Sequence, residues 1–310
     1  MKNDPVEKAL LSLEGADPAT EAGRKRLTAG IHSKYNLVTA KAGQMASRHG
    51  AVQLAPELEK ALATRLERAA TAEKDDKGCA AKLALARALV ELEYDAPQLF
   101  ARGIQYVQME PTWGRTIDVA AEFRAVCAMG LVNGAYPDKL RALLPTLIDG
   151  EWQARAGAVR AIGVEGSEAA ILLLRFKAMT GDENPEVLQE CFSALLSAER
   201  AQAVPFIDSF CDSRQDEIAE AAMLALGGSR RSDAVAALEK RFEQRRNPRL
   251  LKTLLLAVAS SRSDDARRWL KTVAEGDGPE AAAARSAIES CWPDEARSGG
   301  QRTGEAVNRR

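Results

Sequence analysis

From Trp152 to Ala274 the apolar and polar positions repeat as one unit: an apolar run at helical spacing, a polar break, a second such run. The unit is written four times. Aligning the runs places Ala161, Ala194, Ala225 and Ala257 in register, at steps of 33, 31 and 32 residues. Nine residues after each stands another alanine (Ala170, Ala203, Ala234, Ala266), and no gap is needed across any of the four turns. The residue after the first alanine is always aliphatic: Ile162, Leu195, Leu226, Val258. So is the residue thirteen positions after it: Leu174, Ile207, Leu238, Leu270. Small residues at two matched points let paired helices approach closely, and the aliphatics fill the seam between them. The pattern predicts an all-α fold, an α-solenoid of stacked antiparallel helix pairs.

The unit extends upstream with longer steps. Ala88-Leu89 matches the anchor pair with Pro97 nine residues on, Ala128-Met129 does so with Pro137, and Ser47 stands nine before Pro56. Proline suits the start of a second helix, where the backbone N–H has no intrahelical partner. Asn3 to Arg48 reads as two or three helices broken by Gly15-Ala16-Asp17-Pro18 and by Gly30, with Asp17-Pro18 as a cap and first helical residue. His32 to Arg48 and Pro56 to Ala70 form a hairpin, followed by a polar connector from Thr71 to Gly78. Asn184-Pro185-Glu186, Gln215-Asp216-Glu217 and Asn247-Pro248 open first helices; Ser167, Ser232 and Ser263 cap second ones. A last helix from Glu280 to Trp292 closes the array, and Asp294 to Arg310, almost without apolar content, is expected to be disordered. The organisation is therefore an N-terminal helical segment with a degenerate repeat (1–78), a repeat array (79–293) and a tail (294–310).

Between Ala88 and Ala128 the extra residues fall largely in Gln108 to Thr116, QMEPTWGRT. A longer loop inside a compact array is functional or a packing device. Trp113, beside Pro111 and Gly114, is its only bulky apolar group. It is expected to fold back over the joint between repeats; the alternative is a contact anchor for a partner.

Composition narrows the class. Aromatics make up 5% of 310 residues and alanine is abundant, which favours helices. The formal charge of −1, with 28% charged and 46% hydrophobic residues, is ordinary for a soluble protein. No apolar run approaches the roughly 18–20 residues a bilayer demands. Met1 to Leu13 lacks a basic segment followed by an apolar one, so no signal peptide is expected and the protein is placed in the cytoplasm. The five cysteines (Cys79, Cys127, Cys191, Cys211, Cys291) are odd in number and widely spaced, and are expected to be free thiols acting as small hydrophobes. His32 and His49 have no ligand partners at metal-site spacing, so neither metal nor cofactor is expected.

PEVLQECFSALL (Pro185 to Leu196), DEIAEAAMLALGG (Asp216 to Gly228) and WQARAGAVRAIG (Trp152 to Gly163) resemble the first helix of HEAT repeats. The short steps are similar to those of phycobilisome-lyase-type HEAT-like proteins. The family's arginine after the first-helix valine is not kept: Leu188 follows Val187 and Ala219 follows Ile218. Ankyrin and tetratricopeptide signatures do not occur. The resemblance implies a concave face lined by second helices on which another macromolecule is held. It also admits two enzymes, since bilin lyase subunits and alkyl-base DNA glycosylases are built on such arrays.

Fourteen positions after each anchor lie Arg175, Asp208, Glu239 and Lys271, with signs plus, minus, minus, plus. A groove for nucleic-acid phosphate needs clustered Lys/Arg. This ridge instead suits inter-repeat salt bridges, Arg175–Asp208 and Glu239–Lys271, worth about 0–1 kcal/mol each if exposed; a mixed-charge partner surface is the alternative. From Ser229 to Arg310 the chain carries 17 Lys/Arg against 12 Asp/Glu, among them Arg230-Arg231, Lys240-Arg241, Arg245-Arg246, Arg249, Lys252 and Arg267-Arg268. These read as solvated helix faces, with little aromatic content to stack bases. No G-x-S-x-G, H-E-x-x-H, Walker loop or Rossmann glycine pattern occurs. The expected function is a non-enzymatic protein-interaction scaffold. Its candidate contacts are Trp113, Arg175, Asp208, Glu239, Lys271, Arg267 and Arg268. A HEAT-like enzyme or a nucleic-acid-binding module is the alternative.

Overall fold

All eight alanine-anchored runs are helices. They are α10 (Trp152–Glu165), α11 (Glu168–Thr180), α12 (Pro185–Ala198), α13 (Ala203–Phe210), α14 (Asp216–Gly228), α15 (Ser232–Glu243), α16 (Leu251–Ser260) and α17 (Asp264–Ala274) in the computed structural model of the chain. It describes residues 4–68, 72–244 and 247–293. Upstream lie α1 (Pro5–Leu13), α2 (Glu21–Ile31), α3 (Asn36–Arg48), α4 (Ala55–Glu67), α5 (Ala72–Asp75), α6 (Ala80–Glu91), α7 (Pro97–Gly103), α8 (Ala121–Asn133) and α9 (Lys139–Leu147); α18 (Pro279–Cys291) follows α17. The tail from Asp294, the Arg245-Arg246 pair and Ala69 to Thr71 lie outside the described residues.

Burial follows the predicted register. All eight aliphatic seam residues (Ile162, Leu174, Leu195, Ile207, Leu226, Leu238, Val258, Leu270) are fully buried. Of the anchor alanines, seven are buried and Ala194 is half-buried. A fully buried aliphatic side chain contributes about 1.5–3 kcal/mol, so each hairpin draws its stability from this seam.

By its contacts the chain divides into two compact units, Met1–Ala170 and Ile171–Arg310, the division falling inside α11. In the first unit α3 packs on α6, α6 on α8 and α8 on α10, with α4, α7 and α9 against α6, α8 and α10 in turn. In the second, α12, α14, α16 and α18 follow the same order, with α13, α15 and α17 against α14, α16 and α18. Glycine permits the closest approaches: a Cβ on Gly157 of α10 would fall 2.2 Å from the Ala125 Cβ of α8.

Several helix starts hold and some shift. Asn184 caps α12 by accepting from the Glu186 N–H (2.9 Å), and Ser263 caps α17 by accepting from Ala266 (3.1 Å). Ser167 does the same for Ala170 at 3.3 Å. Ser232 is instead the first residue of α15, where Asp233 accepts from the Ala234 N–H at 3.0 Å. Thr20, rather than Asp17, caps α2 (3.0 Å to the Gly23 N–H), leaving Asp17-Pro18 in the preceding turn. Gly30 breaks nothing: it sits in the last turn of α2, where a Cβ would come within 2.9 Å of Ala42 Cβ.

The clearest departure is Gln108 to Asp118. The expected loop is an antiparallel β-hairpin of β1 (Met109–Thr112) and β2 (Arg115–Asp118), pairing Thr112 with Arg115 and Met109 with Asp118. Gly114, at φ 79°, supplies the positive φ that closes its two-residue turn.

Candidate partner-binding site

The hairpin carries Trp113 at its tip, fully exposed. It does not fold back over a joint between repeats, because a two-residue turn directs the tip residue away from the strands' own packing. Met109 and Val107, at the base, are also half exposed. An exposed tryptophan on a tight turn is a ready-made contact group: large apolar area, two rotatable bonds, little entropy lost on binding.

Beneath the tip lies a network of buried charge that sequence patterning did not reveal. Lys82 of α6 donates to Asp76 (2.9 Å) and to Gln108 (3.0 Å), all three buried. Gln108 in turn donates to Glu110 at 2.7 Å and to the Asp76 carbonyl at 2.8 Å, and the Gly78 N–H donates to Glu110 at 2.7 Å. On the β2 side Arg124 of α8 donates to Asp118 (2.6 Å), to the Tyr106 carbonyl (2.9 Å) and twice to Asp149 (2.8 Å each). Burial lowers the Arg124 pKa, but the hydrogen bonds it donates to Asp149 and Asp118 outweigh this and the net shift is upward. Burial also pushes the Tyr106 phenol up, helped by Cys79, Asp76, Asp118 and Glu110. The hairpin is thus pinned at its root on both strands while its tip stands in solvent. The sequence signal available was Lys82 in α6 and Arg124 in α8, charged residues at positions the helical pattern would make apolar.

The ridge residues are placed differently from expectation. Arg175 pairs with Glu199, not Asp208, through three hydrogen bonds of 3.0, 2.9 and 2.6 Å, and stacks over Phe206 (4.4 Å). Asp208 pairs with Arg241, which also donates to Asp212 at 2.8 Å. Consecutive second helices α13 and α15 are therefore bridged, but by a residue two positions beyond the expected ridge. On Glu239, burial first, then the Glu243 and Asp265 carboxylates, raises the pKa.

The basic C-terminal third is partly internal. Arg241 is buried, not a solvated helix-face residue. Arg231 meets Asp233 at 2.9 Å and Arg249 meets Asp216 at 3.1 Å. Arg268 pairs with Asp265, and Arg267 lies over the Trp292 ring at 5.9 Å.

One apolar surface escaped the sequence reading. On α11, Leu172, Phe176 and Met179 are 61%, 64% and 71% exposed. They stand at i, i+4 and i+7, on the face opposite the buried Ala170, Leu174 and Ala178. A helix apolar on both faces is ordinarily covered on both. The signal was in the sequence as a second stripe, offset by two residues from the anchor register.

The described cysteines are free, four of them buried, and burial holds the Cys79 and Cys191 thiols up at about 12, far from a reactive thiolate. No helix among the described residues is long and apolar enough to cross a membrane. No family model matches this chain, and no curated protein is similar to it.

Proposed function

We propose that this protein is a HEAT-like α-solenoid scaffold, non-enzymatic and cytoplasmic, which holds a protein partner through Trp113. The single observation that carries the reading is the contrast within one hairpin: a fully exposed indole on a root fixed by buried ion pairs. Buried charge networks favour one geometry over alternatives at little net gain in stability, which fits a rigid presentation role. The apolar stripe Leu172, Phe176 and Met179 supports a second contact for the same partner or another. The pairing of Arg175, Arg231, Arg241, Arg249 and Arg268 with carboxylates weighs against a phosphate-backbone groove.

The test is affinity capture from a lysate of the source cells with wild-type chain and the Trp113→Ala variant, with circular dichroism to verify that both fold. A protein retained by wild type and lost from the variant supports the scaffold reading. Identical captured material, or capture of nucleic acid that high salt removes, overturns it.

A further inference from the structure

The turn between paired helices in the second unit places an arginine in the same backbone conformation three times. Arg200 lies between α12 and α13, Arg230 between α14 and α15, and Arg262 between α16 and α17. Their φ angles are 56°, 55° and 54°, in the left-handed region that glycine adopts most readily. In the first unit the turns after α3, α6 and α10 hold Gly50, Glu93 and Gly166 at positive φ, so the turn itself does not call for a guanidinium. Left-handed backbone is unfavourable for a residue with a Cβ, and three arginines there are left unexplained by local structure.

All three are exposed, and among the described residues no hydrogen bond or ion pair engages their guanidinium groups. Nearby arginines are used differently: Arg175 pairs with Glu199, Arg231 with Asp233, and Arg268 with Asp265. Those carboxylates are thereby spent, and Asp264 is the one other carboxylate within three residues of Arg200, Arg230 or Arg262. Along these turns three open guanidiniums therefore stand against one carboxylate.

The three positions form a ladder. α12 packs on α14 and α14 on α16, and helices packed in this way lie about 8–10 Å apart. The approach is close at the ends that carry the arginines, where a Cβ on Gly227 would stand 1.9 Å from the Ala257 carbonyl oxygen. An extended chain advances about 3.3 Å per residue, so one step of the ladder spans about three residues. Beside the first two rungs lies a cavity of about 380 Å³ whose walls include Ser193, Ser197, Arg200, Ser229 and Arg231. Ser193 and Ser197, one turn apart on α12, offer exposed hydroxyls to a backbone laid across it.

We propose that the Arg200, Arg230 and Arg262 edge of the second unit binds an extended acidic segment of another protein, successive carboxylates meeting successive guanidiniums. A carboxylate fits the planar fork of a guanidinium. Nucleic acid fits these surroundings less well, since it needs clustered Lys/Arg and free aromatic faces. Here the neighbouring arginines are paired, and Phe192, Phe206, Phe210, Phe242 and Trp269 pack on one another. Trp113 belongs to the first unit, and the edge is tested without it.

The experiment is fluorescence anisotropy of the full chain at low ionic strength with labelled poly-L-glutamate and, separately, labelled oligothymidylate of equal charge. Arg200→Gly, Arg230→Gly and Arg262→Gly each remove a rung, and glycine at positive φ should keep the melting temperature close to or above that of wild type. Asparagine at the same positions, which also takes this conformation, serves where glycine loosens the turn. Saturable polyglutamate binding, tighter than that of oligothymidylate, is expected. Each single variant should weaken it about two- to fivefold and the triple variant about tenfold or more, as exposed charge pairs do. Absence of saturable polyglutamate binding, or binding unchanged in the triple variant, overturns the proposal. Tighter binding of oligothymidylate also overturns it, and its loss in the triple variant would assign the edge to nucleic acid.

Discussion

Gly227 of α14 lies against the backbone of Ala257 in α16: a Cβ built on it would stand 1.9 Å from the Ala257 carbonyl oxygen. The obstacle is main chain, and it belongs to one of the anchor alanines, so the next helix would have to move as a whole. Overpacking of this kind costs about 1–3 kcal/mol or more. Gly227→Ala is therefore expected to lower the chemical-denaturation midpoint. A midpoint equal to wild type would mean that α14 and α16 are less closely apposed than described.

The two arginine–aspartate clusters should differ in cost. Arg124 leaves behind Asp118 and Asp149, 8% and 17% exposed, whereas Arg241 leaves Asp208 and Asp212, 27% and 38% exposed. Stranding carboxylates in the drier setting is worse; breaking a buried pair costs about 3–5 kcal/mol. Arg124→Ala is expected to reach that range and Arg241→Ala to fall below it, by urea unfolding. Reversal of the order would contradict the burial assigned to the hairpin root.

Alkaline pH should destabilise the fold. Burial, the first cause in each case, raises the Cys79 and Cys191 thiols from 9.0 to about 12, and that of Cys127 upward as well. Groups with raised folded pKa values contribute stability that is complete below the unfolded value and lost as pH climbs towards the folded one. Stability should therefore fall between about pH 9 and 12, by up to about 1.4 kcal/mol per pH unit per thiol. Cys191→Ala should flatten that slope while lowering stability at neutral pH. An unchanged slope would place the thiol in a wetter site.

The seam position Leu238 is fully buried in α15, so Leu238→Asp should bring a charge into the inter-helix interior and unfold the second unit. Loss of the cooperative melt is the expected result. Melting like wild type would mean that the register is wrong.

How far the sequence carried depends on what each residue answers to. Ala161, Leu174, Ala203 and Leu238 obey a local periodicity, and a periodicity is legible because every copy restates it. Pro97 and Pro56 mark second-helix starts for the same reason, since a proline's missing N–H costs no hydrogen bond there. The β-hairpin occurs once, so no repetition announced it, and Pro111 argued against a strand; its two-stranded edge position removes that objection. The partners of Arg175 and Asp208 were misread because ridge spacing treats side chains as fixed in length. Glu199 at the end of α12 and Arg241 on α15 reach across by virtue of their own flexible stems. Leu172, Phe176 and Met179 were visible as a stripe, but the buried register through Ala170 and Leu174 had already claimed that helix.

The most direct measurement replaces Trp113 with a photo-reactive phenylalanine derivative and, in a separate chain, places the same group at the exposed Lys41 of α3, with irradiation in a source-cell lysate. A covalent adduct to one protein species from position 113, and none of that species from position 41, is the predicted result. No adduct at 113, or the same adducts from both positions, would contradict the assignment of the hairpin tip as the partner contact.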